Sequence, residues 1–431
     1  MKLLLKHADI LTLENGIWRT RKDAYLGIDG DTICYLSETA PQGPWDREKD
    51  MRGKLLLPGL INCHDHSPMV FLRGVGSDLN LQDWLYQYIF PMEARWTDEA
   101  IRAASDLAIL EMLACGTTSF SDMYYHSDQT VQAVTEAGMK ANITRSTQGR
   151  PGERFEDNVD CREGIALFDQ YHNYANGRIR VDFCIHAEYT NLPEIVRAYS
   201  AACKERGGRM HLHLSETRRE QEACVAKYGK TPAQFFDSLG TFDNPTAAAH
   251  CVWVTEEDMD LLKARGVSPV HCPSSNMKIG SGFAPVQQML DKGLNVTLGT
   301  DGAASNNNLN MLEELHLASI IHNGYHHDPT IMKPGDLLRM ATVNGAKAQG
   351  RSDTGELKVG KKADVIAIDL DRPHLIPALD YPAAIAYSVQ DSDVCMTMVD
   401  GQILYENGSY LTLDAERIKA EARRLFPVLQ G

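Results

Sequence analysis

The sequence predicts an α/β fold: a (β/α)8 TIM barrel with a small β-sandwich domain built from both termini. Three observations point to it. Short β-branched or apolar runs alternate with longer segments of helical period, the signature of repeated βα units and a parallel sheet. Eight such runs span roughly 300 of the 431 residues, which suits a barrel with insertions. Polar residues recur at the C-terminal end of these runs, where barrel active sites sit.

The chain opens with two strand-like segments, LLLKHADILTL and AYLGIDGDTICYL, the second with a Gly-Asp turn between apolar runs. The same texture returns near the other end in ADVIAIDLD and VCMTMVDGQILYENG, so residues 1–56 and 357–431 are expected to form one β-sandwich domain. Residues 57–356 make the catalytic barrel. Its eight expected strands are LLLPGLINCHDH (55–66), TTSFSDM (117–123), KANITRS (140–146), RVDFCIHAE (180–188), RMHLHLSE (209–216), TAAAHCV (246–252), VSPVHC (267–272) and NVTLGTD (295–301).

Composition excludes several function classes. A chain of 431 residues exceeds the roughly 250–300 at which one core stops growing, so a large domain with an appendage is expected. With 43 Lys and Arg against 58 Asp and Glu, the net charge of -15 disfavours nucleic acid and anionic membrane partners. No run approaches the ~20 apolar residues of a membrane span, and the N-terminus lacks the pattern of a signal peptide. The 10 cysteines are scattered with no CxxC pair, as in free thiols of a reducing cytoplasm.

The strand ends carry the chemistry. The first holds His64 and His66, the fourth His186, the fifth His213 and Glu216, the sixth His250, the seventh His271 and the eighth Asp301. Strand parity puts His64 and His66 on one side and Asp65 on the other. One strand-end histidine is ordinarily a hydrogen-bonded core residue, but several strands doing the same at one end point to a divalent metal. His211, one pleat deeper than His213, is read as structural. His126, His316, His322, His326, His327 and His374 lie off the strand ends and receive no role.

LPGLINCHDH, HLHLSE, AAAHCV, VHCPSSNMKI and LGTDGAASNNNLNMLEE together resemble the amidohydrolase superfamily. Within it the chain is most similar to the 5′-methylthioadenosine/S-adenosylhomocysteine deaminase family. The resemblance implies that His64, His66, His213 and Asp301 bind one metal ion beside His250. Zinc is the first expectation, with Fe, Mn or Co compatible with the same donors. Two-metal members bridge their ions with a lysine at the end of the fourth strand; here that strand ends in His186, which favours a mononuclear site.

The resemblance also implies that Trp84 and Glu93 close over the nucleoside, Glu93 binding the ribose hydroxyls, and that His186 contacts the purine. Read alone, Trp84 among Leu81, Leu85 and Tyr88 suits core packing ahead of a substrate platform, and Glu93 after Pro91 serves equally well as a solvated helix-start residue. Arg145 matches one of two arginines that hold a substrate carboxylate, the second being Arg150 or Arg154. The chain departs from the family in His64-Asp65-His66, where HTH is usual, and in Ser77-Asp78, where two acids are usual. The expected reaction is hydrolytic deamination of the adenine of 5′-methylthioadenosine, S-adenosylhomocysteine, 5′-deoxyadenosine or adenosine. Asp301 would accept the water proton, Glu216 would protonate N1, and His250 would orient the nucleophile.

Two rivals stand beside this reading. One is deamination or dechlorination of another heteroaromatic ring, such as an oxidised guanine or a triazine; Glu93 argues against it, because a free base has no ribose. The other is a non-catalytic metal-binding scaffold, which has no use for Glu216. The expected partner is a small purine nucleoside, and the small β-domain offers surface for a homo-oligomer.

Overall fold

The computed structural model describes residues 1–430. Two long apolar strands near the start, Lys2–Glu14 and Ile17–Asp29, pair antiparallel and anchor a nine-stranded sheet drawn from both ends of the chain. Lys54–Pro58 lies beside Lys2–Glu14, then come Val365–Asp369, Val394–Val399, Gln402–Glu406 and Ser409–Tyr410. Thr32–Ser37 forms the opposite edge, and an antiparallel bridge from Thr32 to Lys362 draws that edge back towards the C-terminal strands. These strands share one hydrogen-bonded sheet, and Leu5, Ile10, Leu26, Val365 and Met398 belong to a hydrophobic cluster separate from the larger core.

The expected terminal β-domain also contains a helix. Ala415–Gln430 packs on the helix Asp98–Ala114, and its Ala422, Leu425 and Leu429 join the larger core rather than that of the sheet. Gly431 lies outside the described residues.

Eight parallel strand positions follow in chain order: β1 (Leu60–Asp65), β2 (Thr117–Tyr124), β3 (Lys140–Arg145), β4 (Ile179–Val181 and Phe183–Ile185), β5 (Met210–Leu214), β6 (Thr246–His250), β7 (Ser268–His271) and β8 (Thr297–Leu298). The first run of the sequence, 55–66, is therefore two strands. It breaks at Gly59, where an added Cβ would lie 2.2 Å from the Thr118 side chain, and its first half belongs to the terminal sheet. β1 to β4 form a four-stranded sheet and β4 to β8 a five-stranded one, the two halves of β4 meeting at Asp182. At the other seam Asp301 N donates to His64 O at 2.9 Å, and Asn62 Nδ2 donates to Thr300 Oγ1 at 2.7 Å.

A buried ion network ties the two regions together. Lys140 on β3 donates to both oxygens of Asp364, at 2.8 and 2.6 Å, and lies 2.6 Å from Asp400 Oδ1. No described helix is long and apolar enough to cross a membrane.

Candidate active site

The strand ends converge. His64 Nε2 and His66 Nε2 lie 3.4 and 3.2 Å from Asp301 Oδ1, and His213 Nε2 is 3.3 Å from His66 Nε2. His250 Nε2 is 3.9 Å from Asp301 Oδ2 and 3.9 Å from Glu216 Oε2. The ligating atoms of His64, His213 and His250, and those of His64, His66 and Asp301, form two overlapping groups compact enough to hold a metal ion.

Each ring is aimed by its other nitrogen. His66 Nδ1 meets Met123 O at 2.5 Å, His213 Nδ1 meets His186 O at 2.8 Å, and His250 Nδ1 meets Asn276 Oδ1 at 2.9 Å. With those nitrogens donating, the Nε2 atoms are left as lone-pair donors facing the centre. His64 Nδ1 lies 3.0 Å from His211 Nε2, while His64 Nε2 is buried with no hydrogen-bond partner. His211 therefore orients a neighbouring imidazole, a more specific task than core packing. Asp301 Oδ2 accepts from Ser275 Oγ at 2.6 Å and Ser305 Oγ at 2.9 Å.

Local backbone geometry sets these directions. Ser215, His250 and Asp301 all have positive φ (48°, 72° and 60°), a conformation costing side-chain-bearing residues on the order of 1–3 kcal/mol each. At Ser215 the bend is held by Glu220, whose carboxylate accepts from the backbone N of Ser215 and of Glu216, both at 2.8 Å. Glu220 also completes a capping box with Thr217 at the start of the helix Arg218–Tyr228. Glu216 is thereby pointed out of the strand and over the histidine cluster.

Burial sets the electrostatics. It lowers His64 to about 4 and His213 well below its ordinary value, so both rings are neutral, as metal ligation requires. It raises Glu216 to about 7, with His250 opposing, and places the carboxyl where it can gain or lose a proton near neutrality. Glu93 is raised to about 7 by burial, while its hydrogen bond to Tyr124 opposes that shift.

A cavity opens above the cluster. Trp84, Glu93 and His186 all line it, with Glu216, His250 and Asp301. Trp84 is fixed by donation from Nε1 to Val75 O at 2.8 Å. It lies in a helical segment, Leu81–Glu93, whose turn widens over Leu85–Ile89, a feature frequent at functional sites.

Arg145 is not in this cavity. Its Nε donates to Glu163 Oε2 at 2.7 Å, Nη2 to Asp160 Oδ1 at 2.6 Å and Nη1 to Ser146 O at 2.6 Å. The guanidinium lies over the Tyr125 ring, 5.0 Å from its centroid, and lines a separate cleft on the far side of that ring. The strand end turns this side chain towards two acids of the next helix, Val159–Tyr171. Arg154 pairs with Asp157 on the surface, and neither it nor Arg150 lines the cavity. His271 also stays apart, its Nε2 lying 3.1 Å from His322 Nε2.

The reading of strand ends missed Tyr124, Tyr189, Ser275, Asn276 and Ser305. The last three stand within five residues after a strand-end His or Asp, a placement that flags supporting hydrogen bonds; nothing in the sequence marks the two tyrosines.

Imidazoles and a carboxylate gathered at the C-terminal ends of parallel strands, with a buried acid over them, make the chain a hydrolase built around a divalent metal. It belongs to the amidohydrolase family, whose model matches residues 55–404. It is 43% identical to a 5-methylthioadenosine/S-adenosylhomocysteine deaminase of Acetivibrio thermocellus, covering 99% of both chains. It is 39% identical to a 5′-deoxyadenosine deaminase of Methanosarcina acetivorans, covering 98% of this chain and 96% of that one. Among solved structures, a zinc-bound adenosine deaminase from Xanthomonas campestris superposes with a TM-score of 0.92 at 30% identity, covering 99% of this chain and 98% of its own. A zinc-complexed atrazine chlorohydrolase from Arthrobacter aurescens TC1 has a TM-score of 0.91 at 26% identity, covering 99% and 100%.

Proposed function

We propose that the protein is a metal-dependent deaminase that hydrolyses the adenine of a nucleoside to hypoxanthine and releases ammonia. The observation that carries this reading is Glu216, a buried carboxyl raised to about 7, set 3.9 Å from His250 in the cavity that also holds Glu93. A proton donor beside the metal cluster serves an aromatic ring nitrogen, and a second acid across the cavity serves ribose hydroxyls. The names of the full-length relatives support the same substrate class.

His64, His66, His213 and Asp301 are the proposed ligands of one ion. Their fit rests on the converging Nε2 atoms and on the buried, unpartnered His64 Nε2. Zinc in two structural relatives supports zinc. When bound, the ion supplies Lewis acidity that makes water nucleophilic near neutral pH.

Asp301 Oδ2, steadied by Ser275 and Ser305, receives the proton of the attacking water. His250, held through Asn276, orients that water from the other side. Glu216 gives its proton to N1 as oxygen adds to C6. The proton held by Asp301 then passes to the leaving nitrogen as the C6–N bond breaks, and Glu216 recovers a proton from the C6 hydroxyl as it becomes the carbonyl. Trp84 and the apolar wall exclude solvent, Glu93 holds the ribose, and His186 touches the purine.

The two parallel sheets are proposed to close as one eight-stranded barrel through continuous β4 and the bonds from Asp301 and Asn62 to the neighbouring strand. Residues 1–56 with 357–431 would then form a second unit, supported by its separate core.

The test is an ammonia-release screen over adenine nucleosides, guanine derivatives and chlorotriazines, using protein of measured metal content. Release from adenine nucleosides is expected. Turnover of chlorotriazines alone would replace the reading with the dechlorinating one, and no turnover of any compound by metal-loaded protein would favour a scaffold.

A further inference from the structure

Behind the turn that presents Glu216 lies a pair of acids that the reaction does not use. Glu188 opens the single turn Glu188–Thr190 after β4, and Glu220 stands in the first turn of the helix Arg218–Tyr228 after β5. Both are buried, their carboxyls are hydrogen-bonding neighbours, and Glu188 Oε2 meets no donor group. Lys227, a cation acting on Glu188, is exposed, with Nζ 4.7 Å from the centroid of the Tyr228 ring. Two buried carboxyls side by side cannot both ionise without a cation between them, so the pair holds a proton.

The hydrogen bonds say which acid carries it. Glu220 Oε1 accepts from Ser215 N at 2.8 Å, and its Oε2 accepts from Glu216 N at 2.8 Å and Thr217 N at 3.3 Å. Three backbone donors stabilise a charge, so Glu220 is the carboxylate. Burial, and after it the charge of Glu220, pushes Glu188 up to about 10, whereas on Glu220 those N–H groups and Glu188 oppose the upward push of burial. The pair also joins two loops. Thr190 Oγ1 lies 3.1 Å from His186 Nδ1, and His186 O meets His213 N at 3.1 Å and His213 Nδ1 at 2.8 Å. One loop therefore aims two histidines, and the other aims Glu216.

Resting on the deaminase reading for the activity it serves, we infer that Glu188 is a positioning residue: as the protonated member of the pair it donates to Glu220 and ties the loop after β4 to the turn that presents Glu216. A single negative charge is thereby kept behind Glu216, where it favours the protonated form of that acid. Glu188 itself exchanges no proton with substrate.

The experiment compares Glu188→Leu, Glu188→Gln and Glu220→Gln by steady-state kinetics on an adenine nucleoside turned over by the unmodified, metal-loaded enzyme, with metal content and unfolding midpoint measured on the same preparations. Glu188→Leu removes the donor and is expected to lower kcat about 10- to 100-fold with KM held within about 3-fold. Glu188→Gln keeps an N–H for Glu220 without adding charge, and should restore kcat to within about 3-fold of the unmodified enzyme. Glu220→Gln exchanges the carboxylate for an amide and should keep the loss. A proton on Glu188 requires that asymmetry between the two amides; a packing role does not.

Unchanged kcat in Glu188→Leu would overturn the inference. So would a Glu188→Gln enzyme as impaired as Glu188→Leu, or tolerance of the amide at position 220, which would leave no carboxylate for Glu188 to serve. If Glu188→Leu does not fold, the two near-isosteric amide variants decide. Ammonia release from no adenine nucleoside would defeat the deaminase reading, and the pair is then read by infrared difference spectroscopy of the unmodified protein against Glu188→Gln at about pH 8. Loss of a protonated-carboxyl carbonyl band is expected in the variant; identical spectra in that region would overturn the proton assignment.

Discussion

Gly299 is where the ligand set depends most directly on backbone packing. A Cβ at this position would lie 2.8 Å from His64 N, 2.9 Å from His64 Cβ and 3.0 Å from His64 O. Carbon makes comfortable contact at about 3.5–4.0 Å, so Gly299→Ala must push the β8 segment from β1 by roughly 0.5–1 Å. Overpacking of this kind costs about 1–3 kcal/mol, against a typical total stability of about 5–15 kcal/mol, so the variant should fold. The displaced backbone carries His64 on one side and Asp301 on the other, and a misplacement near 1 Å can cost about 100-fold in rate. Urea unfolding, metal analysis and ammonia release on the same preparation should show lower stability and a larger proportional loss of turnover. Gly324→Ala is the control: it lies in the helix Met311–His326 with nothing within 4 Å, and should be neutral or stabilising by up to about 1 kcal/mol. A Gly299→Ala protein with unchanged unfolding midpoint, metal content and turnover would refute the packing argument.

Glu216→Gln should retain its metal and lose about 100- to 10,000-fold in kcat, since general acid catalysis contributes on that scale; near-normal ammonia release would remove Glu216 from the mechanism. Glu220→Gln takes away an acceptor from the backbone N–H groups that hold the Glu216 turn, and should lower kcat roughly 10- to 100-fold with little change in KM, separable by steady-state kinetics. Lys140→Met leaves Asp364 buried without its cation and should destabilise by about 3–5 kcal/mol in chemical denaturation. Burial alone would raise the Asp364 pKa, but Lys140 outweighs it and the net shift is downward. Its contribution to stability is therefore complete above the ordinary carboxylate pKa of about 4 and is lost as pH falls through the lower folded value. The acid limb of the unfolding profile should flatten in Lys140→Met.

The strand-end pattern was legible because a parallel sheet buries both faces of its strands. Such strands read as apolar runs, and any His, Asp or Glu at their ends stands out against them. That periodicity located His64, His66, His213, His250 and Asp301 and separated His213 from His211 by one pleat. It could not see that 55–66 is two strands, because the break at Gly59 arises from the closeness of Thr118, a neighbour in space. Nor could it assign the C-terminal helix to the larger core, since its packing partner, Asp98–Ala114, lies some 300 residues earlier.

Arg145 shows the division most plainly. Residue type, strand position and family resemblance all suited a substrate carboxylate. In the structure it pairs with Asp160 and Glu163 of the helix Val159–Tyr171, which returns over β3, and lies over the Tyr125 ring. The sequence by itself determined the alternation of strands and helices and which chemical groups stand at the strand ends, because both follow from local periodicity. Only the tertiary structure decided which of those groups share a cavity, because side-chain direction and ion-pair choice depend on neighbours distant along the chain.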